Sequence, residues 1–382
     1  MRLENVTDTT ILSIDQIKQD RELARQIQEI LVYRFFLLEP PVDENFGSLS
    51  TVALKDFQQK TGCPNIGVLD SQTAGYLIDS PREKLVTLNL TDDVLSRIVA
   101  YMLEEGYYIS LGEKCYNIVY VEGMNVDGTL NNDAEDKFND LRCLIEIVNG
   151  SPRFAGKWAG TCEPGRYWTT WGHRQARGWE RGAARIKFGQ YRAWRVGIHN
   201  GNHEALINPE EFPVDVYRDV NEDMVRTGDP LDKTYGINQH HGYMNDVSST
   251  VSIGGASAGC LVGQTIDEHK KFMELVKSDV RYQASNAQPG NPQWRNYRFI
   301  TTVVPGNEVL RTRINEDDLS RITWIDIFRN PEGKTVVVGM KEGTALRKWI
   351  PQNKAELIGI LEGCHMANSV LIASADKPIP EI

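Results

Sequence analysis

The 382-residue chain contains no run of about 18 apolar residues, which excludes a helix long enough to cross a bilayer, so no integral membrane segment is expected. It also lacks an excess of positive charge. With 42 Lys and Arg against 52 Asp and Glu the net charge is -10, a field that repels nucleic acid and anionic lipid, so neither is an expected partner. Cysteine pairing is absent as well. Six cysteines (63, 115, 143, 162, 260 and 364) are scattered singly with no CxxC, which excludes a dense disulfide framework and argues against a zinc site. The first twenty residues have neither a basic n-region nor the apolar stretch of a secretory signal, so classical export is not expected. No internal repeat or low-complexity segment is present.

What the chain does have is the balance of a globular protein, 41% hydrophobic and 25% charged, and a length that suggests two or three domains. Residues 1–20 form a tail. From Arg21 to about Tyr33 apolar residues recur at helical spacing until Pro40-Pro41 stops the helix. Ser50 is the expected cap of a second helix, Thr51 to Lys60, and a third runs from about Ser71 to Ile78. Together they predict a small three-helix bundle over 21–82. A connector, 83–114, holds a helix capped at Thr91 and ending before Gly106. After Cys115 the texture changes to short β-prone runs (Tyr116 to Val121, Trp194 to Ile198, Val214 to Tyr217, Tyr297 to Val304) between Gly, Asn and Asp clusters. One helix, Ile266 to Asp279 with Thr265 as its cap, interrupts this β-rich region of 115–305. A strand at Thr335 to Met340 and a helix at Lys354 to Leu361 predict a short mixed α/β region over 306–382. The fold class expected is multidomain α+β.

Asp43, Phe46 and Gly47, then Ala53, Phe57 and Gln58, then Gly67, Asp70, Thr73 and Leu77 follow the spacing D-x-x-F-G, A-x-x-x-F-Q, G-x-x-D-x-x-T-x-x-x-L. This stretch resembles the peptidoglycan-binding type 1 domain. The resemblance implies a glycan partner, although Phe46, Phe57 and Leu77 read equally well as core.

The segment with most chemistry in it is Ser257-Ala258-Gly259-Cys260, which follows His240 and His241 in Gly-Ile-Asn-Gln-His-His-Gly-Tyr. A thiol attacks a carbonyl only when a neighbouring base takes its proton. Strand alternation turns adjacent side chains to opposite faces, so at most one of His240 and His241 looks at Cys260. The small residues of the loop leave the backbone N–H groups of Gly259 and Cys260 available for an oxyanion.

His240 or His241, then Ser257 to Cys260, together with Thr161-Cys162-Glu163-Pro164-Gly165-Arg166-Tyr167 upstream, resemble the L,D-transpeptidase (YkuD-like) family, with its histidine, its S-H-G-C and its T-P-x-G-x-aromatic segment. Ala258 stands where that family has a second histidine, Leu261-Val262 replace polar residues after the cysteine, and the upstream segment has one extra residue. The resemblance implies a YkuD-like sandwich over 115–305, Cys260 as nucleophile and His240 as base, with His241 as the alternative. It further implies Gly259 as an oxyanion donor and Ser257 as a loop-ordering hydroxyl. No metal or organic cofactor is required.

Substrate-contacting candidates are Arg166, Tyr167, His199, His203 and Tyr243. Arg174, Arg181 and Arg185 lie near Arg166, where arginines meet carboxylates bidentately, but each taken singly reads as solvated surface. Trp158, Trp168 and Trp194 read as core packing or as sugar-stacking faces. Asp219-x-Asn221-x-Asp223 opens like a calcium loop, but Met224 replaces the required glycine and Pro230 the bidentate glutamate, so a solvated turn is expected. The expected function is acyl transfer on peptidoglycan stem peptides, at the cell wall or periplasm. The alternatives are a hydrolytic L,D-carboxypeptidase or endopeptidase, a phage-like lytic enzyme that reaches the wall by lysis or injection, and a wall-binding protein without catalysis.

Overall fold

The computed structural model describes residues 1–82, 85–170, 175, 181–243, 251–286 and 297–312, and the strand segments 324–329, 335–341 and 344–349. Ser13 opens α1 (Ile14–Gln19) with a reciprocal cap, accepting from the Gln16 N–H while the Gln16 side chain accepts from its own N–H. Asp20 caps α2 (Arg21–Glu29), and a π-helical turn over Ile30–Arg34 ends that run before Pro40. The next helix, α3 (Ser48–Thr61), begins at Gly47 and not at the expected Ser50 cap. Ser50 is instead buried inside the helix, where its hydroxyl accepts from Gln28 Nε2 at 3.0 Å. Asp70 caps α4 (Ser71–Asp79) through the Thr73 N–H at 2.8 Å.

Gln58 ties this bundle together. Fully buried on α3, it donates through Nε2 to the Val68 carbonyl at 2.6 Å and accepts from the Gly67 N–H at 2.8 Å. That fixes the loop in which β2 (Val68–Leu69) pairs with β1 (Leu12–Ser13). Phe46, Phe57 and Leu77 are all fully buried beside it. The spaced residues of the N-terminal pattern are therefore used by the fold itself.

The following helix, α5 (Val94–Glu104), is capped by Asp93, whose carboxylate accepts from the Ser96 N–H at 2.8 Å. The expected cap, Thr91, lies two residues out and hydrogen-bonds that same carboxylate.

Three long strands then form an antiparallel meander, β3 (Gly112–Glu122), β4 (Asp140–Val148) and β5 (Ser151–Thr161). A single turn, α6 (Arg166–Thr169), leads to β6 (Ala183–Ile186), followed by the hairpin of β7 (Gly189–His199) and β8 (His203–Ile207). Next come β9 (Val214–Asp219), β10 (Leu231–Thr234), β11 (Gln239–Tyr243) and β12 (Leu261–Thr265). Thr265 caps α7 (Ile266–Lys277), as its sequence position predicts, and α8 (Val280–Asn286), β13 (Phe299–Pro305) and α9 (Gly306–Arg311) complete the unit.

Eight strands in the order β11-β12-β5-β4-β3-β13-β7-β8 close into a barrel, because β8 returns to pair with β11. The β-rich region expected as a sandwich is thus a closed sheet, which leaves no free edge on these strands. A separate sheet, β10-β9-β6, lies alongside.

Strand alternation explains why β3 is buried throughout its second half. Val119 and Val121 join the core shared with the helical bundle, whereas Ile118 and Tyr120 join a second core with Trp194, Leu206 and Phe272. The bundle therefore packs on one side of the sheet and α7 on the other.

The chain is a multidomain α+β protein of two compact units, Met1–Thr312 and Arg313–Ile382. In the second, β14 (Trp324–Arg329), β15 (Thr335–Lys341) and β16 (Thr344–Trp349) form an antiparallel meander. The expected helix Lys354 to Leu361 lies outside the described residues. Among those described, no helix is long and apolar enough to cross a membrane.

Candidate active site

Three segments far apart in sequence meet at the end of β12. Thr161 pairs with Val262, which sets the end of β5 against β12, and the next turn is held by a bond from the Gly165 N–H to the Ser257 carbonyl at 2.8 Å. Trp168 on α6 adds a bond from Nε1 to the Gly255 carbonyl at 2.9 Å. On the other flank β11 runs parallel to β12, with His240 opposite Val262 and the Leu261 N–H donating to Asn238.

Cys260 immediately precedes β12, next to the point where β11 and β12 begin to pair at Gln239 and Leu261. Cys260 and His240 both line a cleft of about 730 Å³. Its walls come from these strand ends, from His199 on β7 and from the small β10-β9-β6 sheet.

Within the loop, Ser257 Oγ donates to the Cys260 carbonyl at 2.8 Å and accepts from the Gly259 N–H at 3.1 Å. The Gly259 donor expected to be available for an oxyanion is therefore engaged. Gly259 has a structural task instead. Its φ is +134°, and a Cβ there would meet the Ala184 carbonyl at 2.6 Å, so only glycine lets the loop dock on β6. The Ala184 N–H completes this docking by donating to Ala258 at 3.2 Å. Of the two donors read from the sequence, the Cys260 N–H remains.

The thiol is only part-buried and donates to the Gly236 carbonyl at 3.4 Å, while burial of Sγ pushes its pKa up to about 11. His240 is buried, and burial reinforced by the neighbouring His199 lowers its pKa to about 3. Its Nδ1 lies 2.8 Å from the His241 carbonyl, which can only accept, so Nδ1 carries the proton and Nε2 is the basic nitrogen. At rest the pair is a thiol and a neutral imidazole.

His240 belongs to a continuous row of imidazoles. It stacks on His199 at 4.0 Å between ring centroids, His203 sits 3.9 Å from His241, and His241 lies 5.6 Å from His269 on α7. Burial lowers His241 to about 4 and His269 to about 2, and lowers His199 and His203 as well. His269 has both nitrogens engaged, Nδ1 3.3 Å from the fully buried Arg142 guanidinium and Nε2 2.9 Å from the Glu204 carbonyl. His203 has neither nitrogen hydrogen-bonded, although both are buried. No local sequence signal announces this row, because its members come from four separate elements.

Of the expected substrate contacts, His199 lines the cleft, whereas His203, Arg166, Tyr167 and Tyr243 are not among the described residues that do. Arg166 pairs with Glu135 at the surface. Tyr167 packs edge-on against Trp168 at 4.8 Å, and Tyr243 donates its hydroxyl to the Ile253 carbonyl at 2.9 Å, bracing the loop. The alternative base, His241, faces His203 and His269 and is likewise absent from the cleft lining.

Arg185 is not a surface arginine. It is buried, pairs with Glu163 and donates to the Met224 carbonyl at 2.6 Å, which anchors the upstream segment under the loop. Arg174 lies outside the described residues. Trp158 and Trp194 are core, while Trp168 lines the cleft. Arg218 on β9 and Tyr235 and Asn238 between β10 and β11 line it too, and no local signal in the sequence shows that Arg218 and Tyr235 would meet the cysteine loop.

Asp219, read as part of a solvated turn, is buried, and its carboxylate accepts from the Met224 N–H at 3.1 Å. Oxygens of Asp219, Asp223 and Asp229 lie within 4.8 Å of one another, as do those of Glu122, Asp133 and Glu163. Glu122 and Glu163 are neutralised by Arg226 and Arg185.

No family model matches the chain, and no curated protein matches it. Among solved structures it is similar to a fused Zn-dependent amidase/peptidase/peptidoglycan-binding domain-containing protein from Clostridium acetobutylicum ATCC 824. The identity is 12%, over 77% of this chain and 99% of that one, with a TM-score of 0.23. A likeness at that score carries no functional argument.

Proposed function

We propose that the protein is a cysteine-dependent acyl transferase acting on peptidoglycan stem peptides. The observation that carries this reading is that Cys260 and His240 line one cleft where β11 and β12 begin to pair, with Nε2 of His240 left as the basic nitrogen. The resemblance of the three converging segments to the L,D-transpeptidase pattern supplies the substrate class.

In this mechanism His240 Nε2 takes the Sγ proton as sulfur bonds to the scissile carbonyl carbon. Because the resting thiol and imidazole are both neutral, the transfer accompanies attack and does not precede it. The Cys260 N–H is the backbone donor for the oxyanion that forms. Collapse breaks the C–N bond, the His240 imidazolium returns the proton to the departing amine, and a thioester on Cys260 remains. An amine from a second stem peptide resolves it to a cross-link, or water resolves it to a shortened stem. The N-terminal bundle holds the enzyme on its polymer and raises the local concentration of stems. The site of action is the cell wall or periplasm.

The test is incubation of the purified chain with disaccharide-peptide monomers, followed by intact-mass and product analysis. An acyl adduct on Cys260 that is absent from Cys260→Ala supports the reading. Dimers indicate transpeptidation, and shortened monomers indicate hydrolysis. If wild type and Cys260→Ala give the same products, catalysis by this cysteine is excluded, and retention on sacculi would then leave a wall-binding protein.

A further inference from the structure

The chain carries 52 acidic against 42 basic residues, yet no aspartate or glutamate is among the described residues lining the cleft, while Arg181 and Arg218 both are. Arg218 projects from β9 and is only 16% exposed. It is held through Nε by Asp232 on β10 at 2.9 Å, which leaves its terminal nitrogens as a fork suited to a bidentate carboxylate. Arg181 Nη1 lies 3.6 Å from the same Asp232 oxygen and is 79% exposed. Two guanidinium groups thus share one carboxylate, and the wall has a positive charge left over. His199 and His240 add none at neutral pH, since burial keeps both neutral.

We propose that this wall is an anion subsite built on Arg218, with Arg181 as its outer cation, and that it seats a free carboxylate of the acyl donor beside the bond attacked by Cys260. The donor is accordingly a peptide with a second carboxylate close to the scissile carbonyl. The identity of that ligand rests on the acyl-transfer reading, whereas the existence of the anion subsite does not.

Alkylation of Cys260 in the full chain by anionic iodoacetate and neutral iodoacetamide, followed by peptide mapping, reads the subsite without any wall substrate. Relative to the urea-unfolded chain, the iodoacetate-to-iodoacetamide rate ratio at Cys260 is expected to rise about tenfold at low salt and to shrink as salt is added. Arg218→Gln should return the ratio close to the unfolded value, Arg218→Lys should keep most of it, and Arg181→Gln, at an exposed position that does not threaten folding, should lower it about twofold. With stem peptides, amidating the donor's second carboxylate should raise KM about tenfold for wild type and have little effect on Arg218→Gln. A folded-state ratio no higher than the unfolded one, or one unchanged by Arg218→Gln, overturns the subsite even if stem peptides are processed. A raised ratio without turnover of any stem peptide keeps the subsite and removes the peptidoglycan reading.

Discussion

Gly165 donates its N–H to the Ser257 carbonyl at 2.8 Å, and at that distance there is no room for a side chain: a Cβ on Gly165 would meet the Gly254 carbonyl at 2.0 Å. The turn after β5 and the cysteine loop are therefore fitted backbone to backbone, and the position of Cys260 depends on a contact made some ninety residues away in sequence.

Gly165→Ala should accordingly destabilise the first unit by about 1–3 kcal/mol, the range for overpacking a site that cannot yield. Calorimetry would read the loss, and altered alkylation of Cys260 would show that the loop has moved. An unchanged Tm would mean that the loop adjusts freely.

Because burial holds the Cys260 thiol near 11, its thiolate fraction should rise about tenfold per pH unit from neutral pH upward. The rate of iodoacetamide modification at Cys260, mapped by mass spectrometry, should climb through pH 10 without a plateau. A plateau near pH 7 would point to a thiolate stabilised by an imidazolium, contrary to the neutral pair described above.

His240 and His241 are separable by substitution. His240→Gln should lower acyl transfer by about 10²–10⁴-fold, the usual contribution of a positioned base. His241→Gln should stay within about tenfold of wild type, because its ring faces His203 and His269 and not the cleft. Equal losses in turnover would contradict this assignment.

The row of imidazoles should make the protein acid-sensitive. His240, His241 and His269 have folded pKa values of about 3, 4 and 2, below the ordinary 6.5. Below pH 6.5 the unfolded chain takes up protons that the folded chain refuses. Stability is thus complete above that pH and falls as pH drops toward the folded values, by at most about 1.4 kcal/mol per unit per imidazole. Asp133, Asp140 and Asp229, which burial and nearby carboxylates push above the usual range, act in the opposite direction over the same window, so the imidazole share is read from the difference between wild type and a histidine variant. His269→Gln should flatten the dependence of Tm on pH between 6.5 and 4.5. Parallel slopes for wild type and variant would remove the imidazoles as the cause.

In the bundle, Gln58→Leu should cost about 3 kcal/mol, since it orphans the Gly67 N–H and the Val68 carbonyl inside a buried loop. Urea unfolding of the full chain would measure it.

Local chemistry was legible wherever the physics is local. Asp70 and Thr265 follow the expected helix starts because a short acceptor before an apolar run satisfies the first free N–H groups whatever packs nearby. The β-prone runs at 116–121 and 214–217 became strands because their alternation suits a sheet buried on one or both faces. Where a residue of the right type is claimed by a distant partner, the local reading slips, as at Ser50, which Gln28 draws into the core; at Thr91 it slips for a local reason, because Asp93, a second acceptor two residues on, takes the cap.

The sequence by itself determined that a cysteine on a glycine-rich loop would follow a β-strand bearing two adjacent histidines, and that strand alternation would turn those histidines to opposite faces. Only the tertiary structure decided the rest. It set His240 and Cys260 in one cleft, engaged the Gly259 N–H with Ser257, braced the loop with Tyr243 and set Arg218 in the wall of the cleft. Those outcomes depend on closing β8 onto β11 and docking the small sheet beside it, contacts between segments tens of residues apart that no local pattern encodes.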